Sequence, residues 1–204
     1  MRKLSGILAV VMLALAVGVL DRPADELLSV HMTQHLMLML VVAPLLVGAF
    51  SGLPAPDWSR TPLFAVVAVA AQTGALVLWH IPAMFDFADE HLVVHMVEHA
   101  SFVATAFAAW WVILVPTTSL PVRFAACAGA AFPTLAVGVA MTLAPHPWYA
   151  AYATAHSSLT PLVDQQTAGA VMWGPGGLPY IIAAAWLVGS ALLRDEMARS
   201  AQPA

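Results

Sequence analysis

Six long apolar runs dominate this chain of 204 residues and constrain its fold. A membrane-spanning helix needs about 20 mostly apolar residues, because the hydrocarbon core of a bilayer is about 30 Å thick. Only 9% of the residues are charged, whereas roughly a quarter of a soluble domain is charged. The sequence therefore predicts an all-α, polytopic bundle of about six transmembrane helices. The predicted spans are 4–20, 27–50, 62–80, 91–115, 121–144 and 164–193.

The basic residues predict the orientation of this bundle. Lys and Arg are retained on the cytoplasmic side of short membrane loops. With the N-terminus inside, every Lys and Arg except Arg22 falls on that side. We therefore predict a multi-pass protein of the plasma (inner) membrane with both termini inside. The predicted parts are an N-terminal helix over 1–20, a bundle over 21–193 and a cytoplasmic tail over 194–204.

Residues 1–20 allow a second interpretation. A basic start followed by a short apolar stretch also describes a signal peptide. We favour a retained helix, because no clear small-residue cleavage site precedes Asp21.

All eight histidines then fall at the outer end of the bundle. Residues four apart share one face of a helix, so His31 and His35 form one pair and the series His91, His95, His99 forms another stripe. Imidazole is the commonest protein ligand for transition metals, and ionisable side chains at membrane depth usually face the bundle interior. The two stripes therefore predict a shared outward-facing site for a metal ion or haem.

The candidate metal ligands extend beyond these stripes. His80 ends the third span, Glu98 adjoins His99, and Asp164 begins the last span. Glu98 is expected to orient a ligating imidazole or to bind the ion itself. Asp164 is expected to cap its own helix or to serve the site in the same way. The full candidate set is His31, His35, His80, His91, His95, Glu98, His99 and Asp164.

The last predicted span contains an unusual stretch. Three glycines surround a proline at Gly174–Gly177, and such a sequence breaks or kinks a helix. Broken helices are tolerated inside membranes where protein buries them or where they line a cavity. We therefore predict two half-helices, whose junction would allow movement during ligand release.

Sulfur chemistry favours copper among the metals. Thioether sulfur beside imidazole suits Cu(I), whereas zinc gains nothing from it. Cys127 is the only cysteine, so a two-cysteine copper motif is absent. Nucleophile, phosphate-loop and zinc-hydrolase motifs are absent too, so we expect no enzyme. Nucleic acid is not an expected partner, and the oligomeric state stays open. Methionines on the relevant helices are Met32, Met37, Met39, Met96, Met141 and Met172.

Two alternatives to a copper site remain at this point. Histidines on adjacent helices can supply both axial ligands of haem b, as in an electron-transfer protein. A broken helix with midplane polar residues such as Gln72 and Glu98 is typical of a transporter.

Four blocks in order resemble the CtaG family of cytochrome c oxidase assembly factors. They are 31–35 (HMTQH), 79–86 (WHIPAMFD), 95–99 (HMVEH) and 164–177, which runs from DQQ to MWGPGG. The resemblance covers about 25–193. It implies an integral membrane protein that handles copper and delivers it to oxidase subunits. The positions carried over are His31, His35, His80, His95, Glu98, His99 and Asp164.

Overall fold

The computed structural model describes residues 1–153 and 159–200, and this part of the chain contains helices and no strand. Three short 3-10 segments, Asp57–Arg60, Ala150–Tyr152 and Pro175–Gly177, lie between helices. The helices are α1 (Arg2–Val19), α2 (Asp21–Glu26), α3 (Leu28–Phe50), α4 (Pro62–His80), α5 (Pro82–Glu90), α6 (Leu92–Leu114), α7 (Leu120–Leu143), α8 (Pro161–Trp173) and α9 (Leu178–Ser200).

Six stretches of the described chain are long and apolar enough to cross a membrane. They are α1, α3, α4, α6, α7, and α8 together with α9. The prediction of an all-α bundle with six membrane helices is therefore confirmed.

The predicted break in the last span is confirmed as well. α8 ends at Trp173, Gly174 adopts ψ of −89°, and a 3-10 turn leads into α9. Pro175 has no N–H group to continue the helical hydrogen bonds, which is why the helix stops here.

The two ends of the bundle carry opposite charge. The short helices α2 and α5 lie at one end, which we call the acidic end, and supply its carboxylates. At the other end, the basic end, Arg2 begins α1 and its Nε donates to the carbonyl of Ala49. Arg123 lies in the first turn of α7 and donates to the carbonyls of Ile113 and Leu114. Arg2 and Arg123 thus lie at one end of the bundle, and the carboxylates of α2 and α5 lie at the other.

Two membrane helices contain π-helical stretches, at Leu15–Val19 in α1 and Leu38–Val42 in α3. Neighbouring side chains bond carbonyls in these stretches. Gln34 Nε2 donates to the carbonyl of Ala16 at 2.9 Å, and Trp110 Nε1 donates to that of Met39 at 2.9 Å. These bonds join α1, α3 and α6 close to His35. π-helical turns occur frequently at functional sites.

Helices α7 and α8 cross in backbone contact. A Cβ atom added at Gly138 would lie 2.8 Å from both the carbonyl oxygen of Gly169 and the backbone nitrogen of Trp173. Small residues allow membrane helices to approach this closely. The crossing holds α8, and with it Asp164, against the rest of the bundle.

We expect Gly138→Ala to lower the thermal unfolding temperature in detergent, because the added methyl group has to push the two helices apart. Overpacking of this kind costs about 1–3 kcal/mol. Gly74→Ala is the matched control, since its Cβ would meet nothing within 4 Å. Similar unfolding temperatures for the two variants would contradict the close crossing.

Candidate metal centre

Two facing helices bring four imidazoles together. His31 and His35 lie one turn apart on α3, with ring centroids 4.4 Å apart, and His95 and His99 lie one turn apart on α6 at 4.2 Å. Between the helices, the ring centroids are 5.4 Å apart for His31 and His95 and 5.2 Å for His35 and His99. We call these four residues the histidine cluster. The structure thus unites the two pairs that the sequence indicated.

Glu98 places its carboxylate between the two helices. Its Oε1 lies 3.6 Å from His35 Nε2, and its Oε2 lies 3.8 Å from His95 Nδ1. The residue is only 1% exposed. These distances are longer than direct hydrogen bonds, so the carboxylate and the imidazoles surround a common space. Glu98 can therefore bind an ion directly or orient an imidazole that does.

Tyr152 determines which nitrogen of His31 is free. Its hydroxyl donates to the carbonyl of Ala24 at 2.6 Å, so its oxygen accepts from Nδ1–H of His31 at 2.9 Å. Burial raises the pKa of the Tyr152 hydroxyl well above its ordinary value, which keeps it protonated as this arrangement requires. The Nε2 atom of His31 therefore carries no proton and has a free lone pair, which is the form that binds a metal.

His80 is held in the same tautomer at the edge of the cluster. Its Nδ1–H donates to the carbonyl of Leu76 at 2.7 Å, which leaves Nε2 without its proton. The ring of Phe102 lies 4.7 Å from that of His35 and 6.5 Å from that of His80. His80 is therefore a neighbour of the cluster rather than one of its packed rings.

Buried polar atoms without partners are concentrated in this region. Burying one unsatisfied donor or acceptor costs about 1–3 kcal/mol. Two sets of potential ligand atoms each lie within 4.8 Å of one another, one from His31, His35 and His99 and one from His31, His95 and Glu98. A bound ion would satisfy several of these atoms at once. The unpartnered atoms are His31 Nε2, His35 Nδ1 and Nε2, His80 Nε2, His99 Nε2 and Glu98 Oε1.

Three aromatic rings cover the cluster at the acidic end. Phe85 lies 5.0 Å from the His31 ring and 4.2 Å from the Tyr149 ring, and Tyr152 bonds His31. We call Phe85, Tyr149 and Tyr152 the aromatic roof. All three are buried. The sequence predicted an outward-facing site, and the structure places this roof over it.

His91 lies outside the cluster for a simple geometric reason. The spacing of four residues to His95 suggested a continuous helical stripe, but α6 begins at Leu92 and His91 has extended backbone angles of −129° and 99°. Its side chain is exposed and its Nδ1 bonds the carbonyl of Phe87 at 2.9 Å. The structure therefore does not bring this candidate ligand to the others.

Asp164 is likewise used elsewhere. Its Oδ2 accepts from the backbone N–H of Leu28 at 2.6 Å and its Oδ1 from that of Ser29 at 3.1 Å. Carboxylates at helix N-termini satisfy free N–H groups in this way. Asp164 thus caps α3, the helix that carries His31, while the cap of its own helix is Thr160.

The two glutamines after Asp164 fasten the loop that follows α7. Gln165 accepts from the N–H of Trp148 at 2.6 Å and donates to the carbonyl of His146 at 3.3 Å. Gln166 donates to the carbonyl of Ala144 at 3.3 Å. His146 itself is exposed, and His156 lies outside the described residues. Residues 164–166 therefore hold α3, α8 and this loop together through hydrogen bonds.

Methionines occur on both helices of the cluster, and Met39 lies four residues beyond His35 on α3. Met39 and Met32 are buried in the hydrophobic core. Met96 lies between His95 and Glu98 in the sequence. Its side chain is 62% exposed because it points away from the bundle interior. The sequence therefore supplies methionine on both helices of the cluster but in different environments.

The acidic end favours cations near the cluster. α2 and α5 carry six carboxylates and one basic residue, Arg22. The pKa of Asp89 is raised by its partial burial and by its neighbours Asp25, Asp86 and Glu90. A concentration of like charge of this kind produces a negative potential that attracts cations.

Fold and site together define a multi-pass α-helical membrane protein with a buried histidine cluster. The family model for the cytochrome c oxidase caa3 assembly factor (Caa3_CtaG) matches residues 1–192, and the chain belongs to this family. The resemblance seen in the sequence is thereby confirmed. Comparisons with curated proteins and with solved structures gave no significant match. The family makes the oxidase a partner and the lipid bilayer the surroundings of this chain.

We expect Asp164→Ala to lower the free energy of unfolding by about 1–3 kcal/mol, because two buried N–H groups at the start of α3 lose their acceptor. Chemical unfolding in detergent measures this loss. Asp57→Ala is the control, since the Asp57 side chain is fully exposed. Loss of bound metal at unchanged stability would instead identify Asp164 as a ligand.

Proposed function

We propose that this chain binds a reduced copper ion at the histidine cluster and passes it to a subunit of cytochrome c oxidase. The observation that carries the proposal is the group of buried, unpartnered ligand atoms around one space between α3 and α6. Buried polar atoms in proteins nearly always have a partner, and six of the eleven unpartnered ones in the described residues belong to this one group. The family supplies the setting, oxidase assembly, and the donor chemistry suggests the cargo.

Charge favours Cu(I) over a divalent ion. Four neutral imidazoles and the carboxyl group of Glu98 surround the space, so a monovalent ion that displaces the Glu98 proton leaves no net charge there. A divalent ion would leave one uncompensated positive charge in a region of low dielectric constant, which is costly. Imidazole accommodates copper readily, and nearby thioethers favour its reduced state.

The proposed mechanism is ligand exchange without bond-making catalysis. His31, fixed by Tyr152, is the most firmly positioned donor. His35, His95 and His99 complete the donor set, and Glu98 balances the charge of the ion. The ion leaves when a ligand from the acceptor replaces one imidazole at a time.

Haem is a less favoured ligand because the four imidazole rings lie too close to one another. Each ring of the histidine cluster lies in edge contact with others, at centroid distances from 4.2 to 6.4 Å. A porphyrin held between any two of them would overlap the remaining rings. A Soret band in the absorption spectrum of the purified protein would support haem binding instead.

A transporter is also less favoured. Gln72, one of the two midplane residues that suggested it, donates to the hydroxyl of Tyr180 at 2.8 Å, and the Tyr180 ring stacks on Trp110. These contacts give the pair a structural role. Copper flux across proteoliposomes that contain only this protein would be needed to support transport.

The proposed location is the plasma (inner) membrane with the acidic end on the extracytoplasmic side. The basic end, which carries Arg2 and Arg123, then faces the cytoplasm, as retention of positive charge predicts. Copper would reach the cluster from outside the cytoplasm.

We expect the double variant His35→Ala, His99→Ala to lose bound copper. The wild type, loaded with Cu(I) without oxygen and desalted in detergent, is expected to retain about one ion per chain. His91→Ala is the matched control, because this exposed histidine lies outside the cluster and should leave copper content unchanged. Equal copper in wild type and double variant would overturn the proposed site.

We expect Tyr152→Phe to weaken Cu(I) affinity by roughly tenfold or more, because His31 loses the bond that fixes its tautomer. A competition titration with a Cu(I) chelator measures this, and the number of ions bound should stay the same. Tyr149→Phe is the control, since the Tyr149 hydroxyl donates to the carbonyl of His80 and not to an imidazole. An equal loss in both variants would indicate only a structural effect of the loop.

A further inference from the structure

A groove of about 850 Å³ reaches the histidine cluster from the side. Its walls come from α1, α3 and α6 and are almost entirely apolar, with Leu13, Val17, Leu46 and Phe107 among them. It extends from Asp21 near the acidic end to Phe50 near the basic end, and more than half of its lining residues lie on α6, between Leu92 and Phe107. A groove of this shape opens toward the membrane rather than toward water.

Among the described residues that line this groove, the polar side chains lie toward the acidic end. They are Asp21 at the mouth and the two imidazoles His95 and His99, with Met96 on the same wall. The His95 side chain is 18% exposed, whereas His31 and His35 are almost completely buried. The cluster is therefore most accessible from the groove.

The opposite approach is covered. The aromatic roof closes over His31 at the acidic end, and Tyr152 is bonded to both His31 and the backbone of α2. A soluble acceptor would have to displace these packed rings, whereas an acceptor in the bilayer meets His95 directly. The lateral route needs no such rearrangement.

We propose that the copper acceptor docks in this groove as a transmembrane helix that presents a soft ligand, a methionine, cysteine or histidine side chain, beside His95. This inference rests on the proposed function. The apolar walls suit a helix surrounded by lipid, and small residues such as Ala100 and Ala104 on α6 leave room for close packing.

Exposed Met96 adds a donor at the point of transfer. Its thioether lies on the groove wall within one helical turn of His95 and His99 and can hold Cu(I) while an imidazole is released. Each protein ligand that leaves is replaced by one from the acceptor, and the copper stays Cu(I) throughout. No reductant or oxidant is required.

Filling the groove without touching the cluster tests this route. Ala104→Trp places an indole in the groove, and Ala71→Trp, at an exposed site on α4 away from it, is the matched control. Each variant is loaded with Cu(I) and reconstituted with copper-free oxidase in the same vesicles. Copper in the oxidase and copper removed by a water-soluble Cu(I) chelator are both measured.

We expect Ala104→Trp to keep its copper and its response to the chelator but to transfer copper to the oxidase roughly tenfold more slowly, because the acceptor ligand no longer reaches the ion. Ala71→Trp should behave as the wild type. Unchanged transfer in Ala104→Trp would overturn lateral docking. A wild type that holds no Cu(I) would instead overturn the proposed function, and the docking inference would fall with it.

A second measurement covers the case in which Ala104→Trp does not fold. A photo-reactive amino acid replaces Val17 on the facing wall, and the protein is illuminated in vesicles with copper-free oxidase. Cross-links that map to a membrane helix of an oxidase subunit are expected. Cross-links to lipid alone, or to a soluble oxidase domain, would overturn the proposal.

Discussion

The rest of this structure depends on one constraint: polar groups inside a bilayer must find their partners within the protein. The π-helical stretches of α1 and α3 meet it through Gln34 and Trp110. The amide nitrogen of Gln72 meets it through Tyr180. The main exception is the metal-site region, since His31, His35, His80, His99 and Glu98 hold six of the eleven buried polar side-chain atoms without a partner in the described residues. These unpartnered atoms are the structural basis of the proposed copper site.

The membrane spans and the core of the site follow from the sequence, because both depend on local spacing. Apolar runs predicted the six spans, and the pairs His31 with His35 and His95 with His99 lie on single helices whose faces are determined by the four-residue spacing. The distance between the pairs was not predictable from spacing, since it depends on how α3 packs against α6.

The remaining differences come from helix ends and from contacts distant in sequence. His91 fits the spacing but precedes the first residue of α6, so it does not share the face of His95. Asp164 looked like a cap for its own helix and caps α3 instead. Tyr152 carried no motif, and its role depends on a loop returning to His31. Helix boundaries and long-range contacts are the features that local patterns specify least.

The cap supplied by Asp164 has a consequence for biogenesis. Leu28 and Asp164 are 136 positions apart, so the first turn of α3 lacks this side-chain acceptor until α8 has been made. Chains are synthesised from the N-terminus and their segments fold in that order. His31 and His35, which lie on the helix whose start Asp164 caps, therefore gain this support only after α8 has been made. The order of synthesis thus makes the histidine cluster a late feature of the folding bundle, although its four residues lie on α3 and α6.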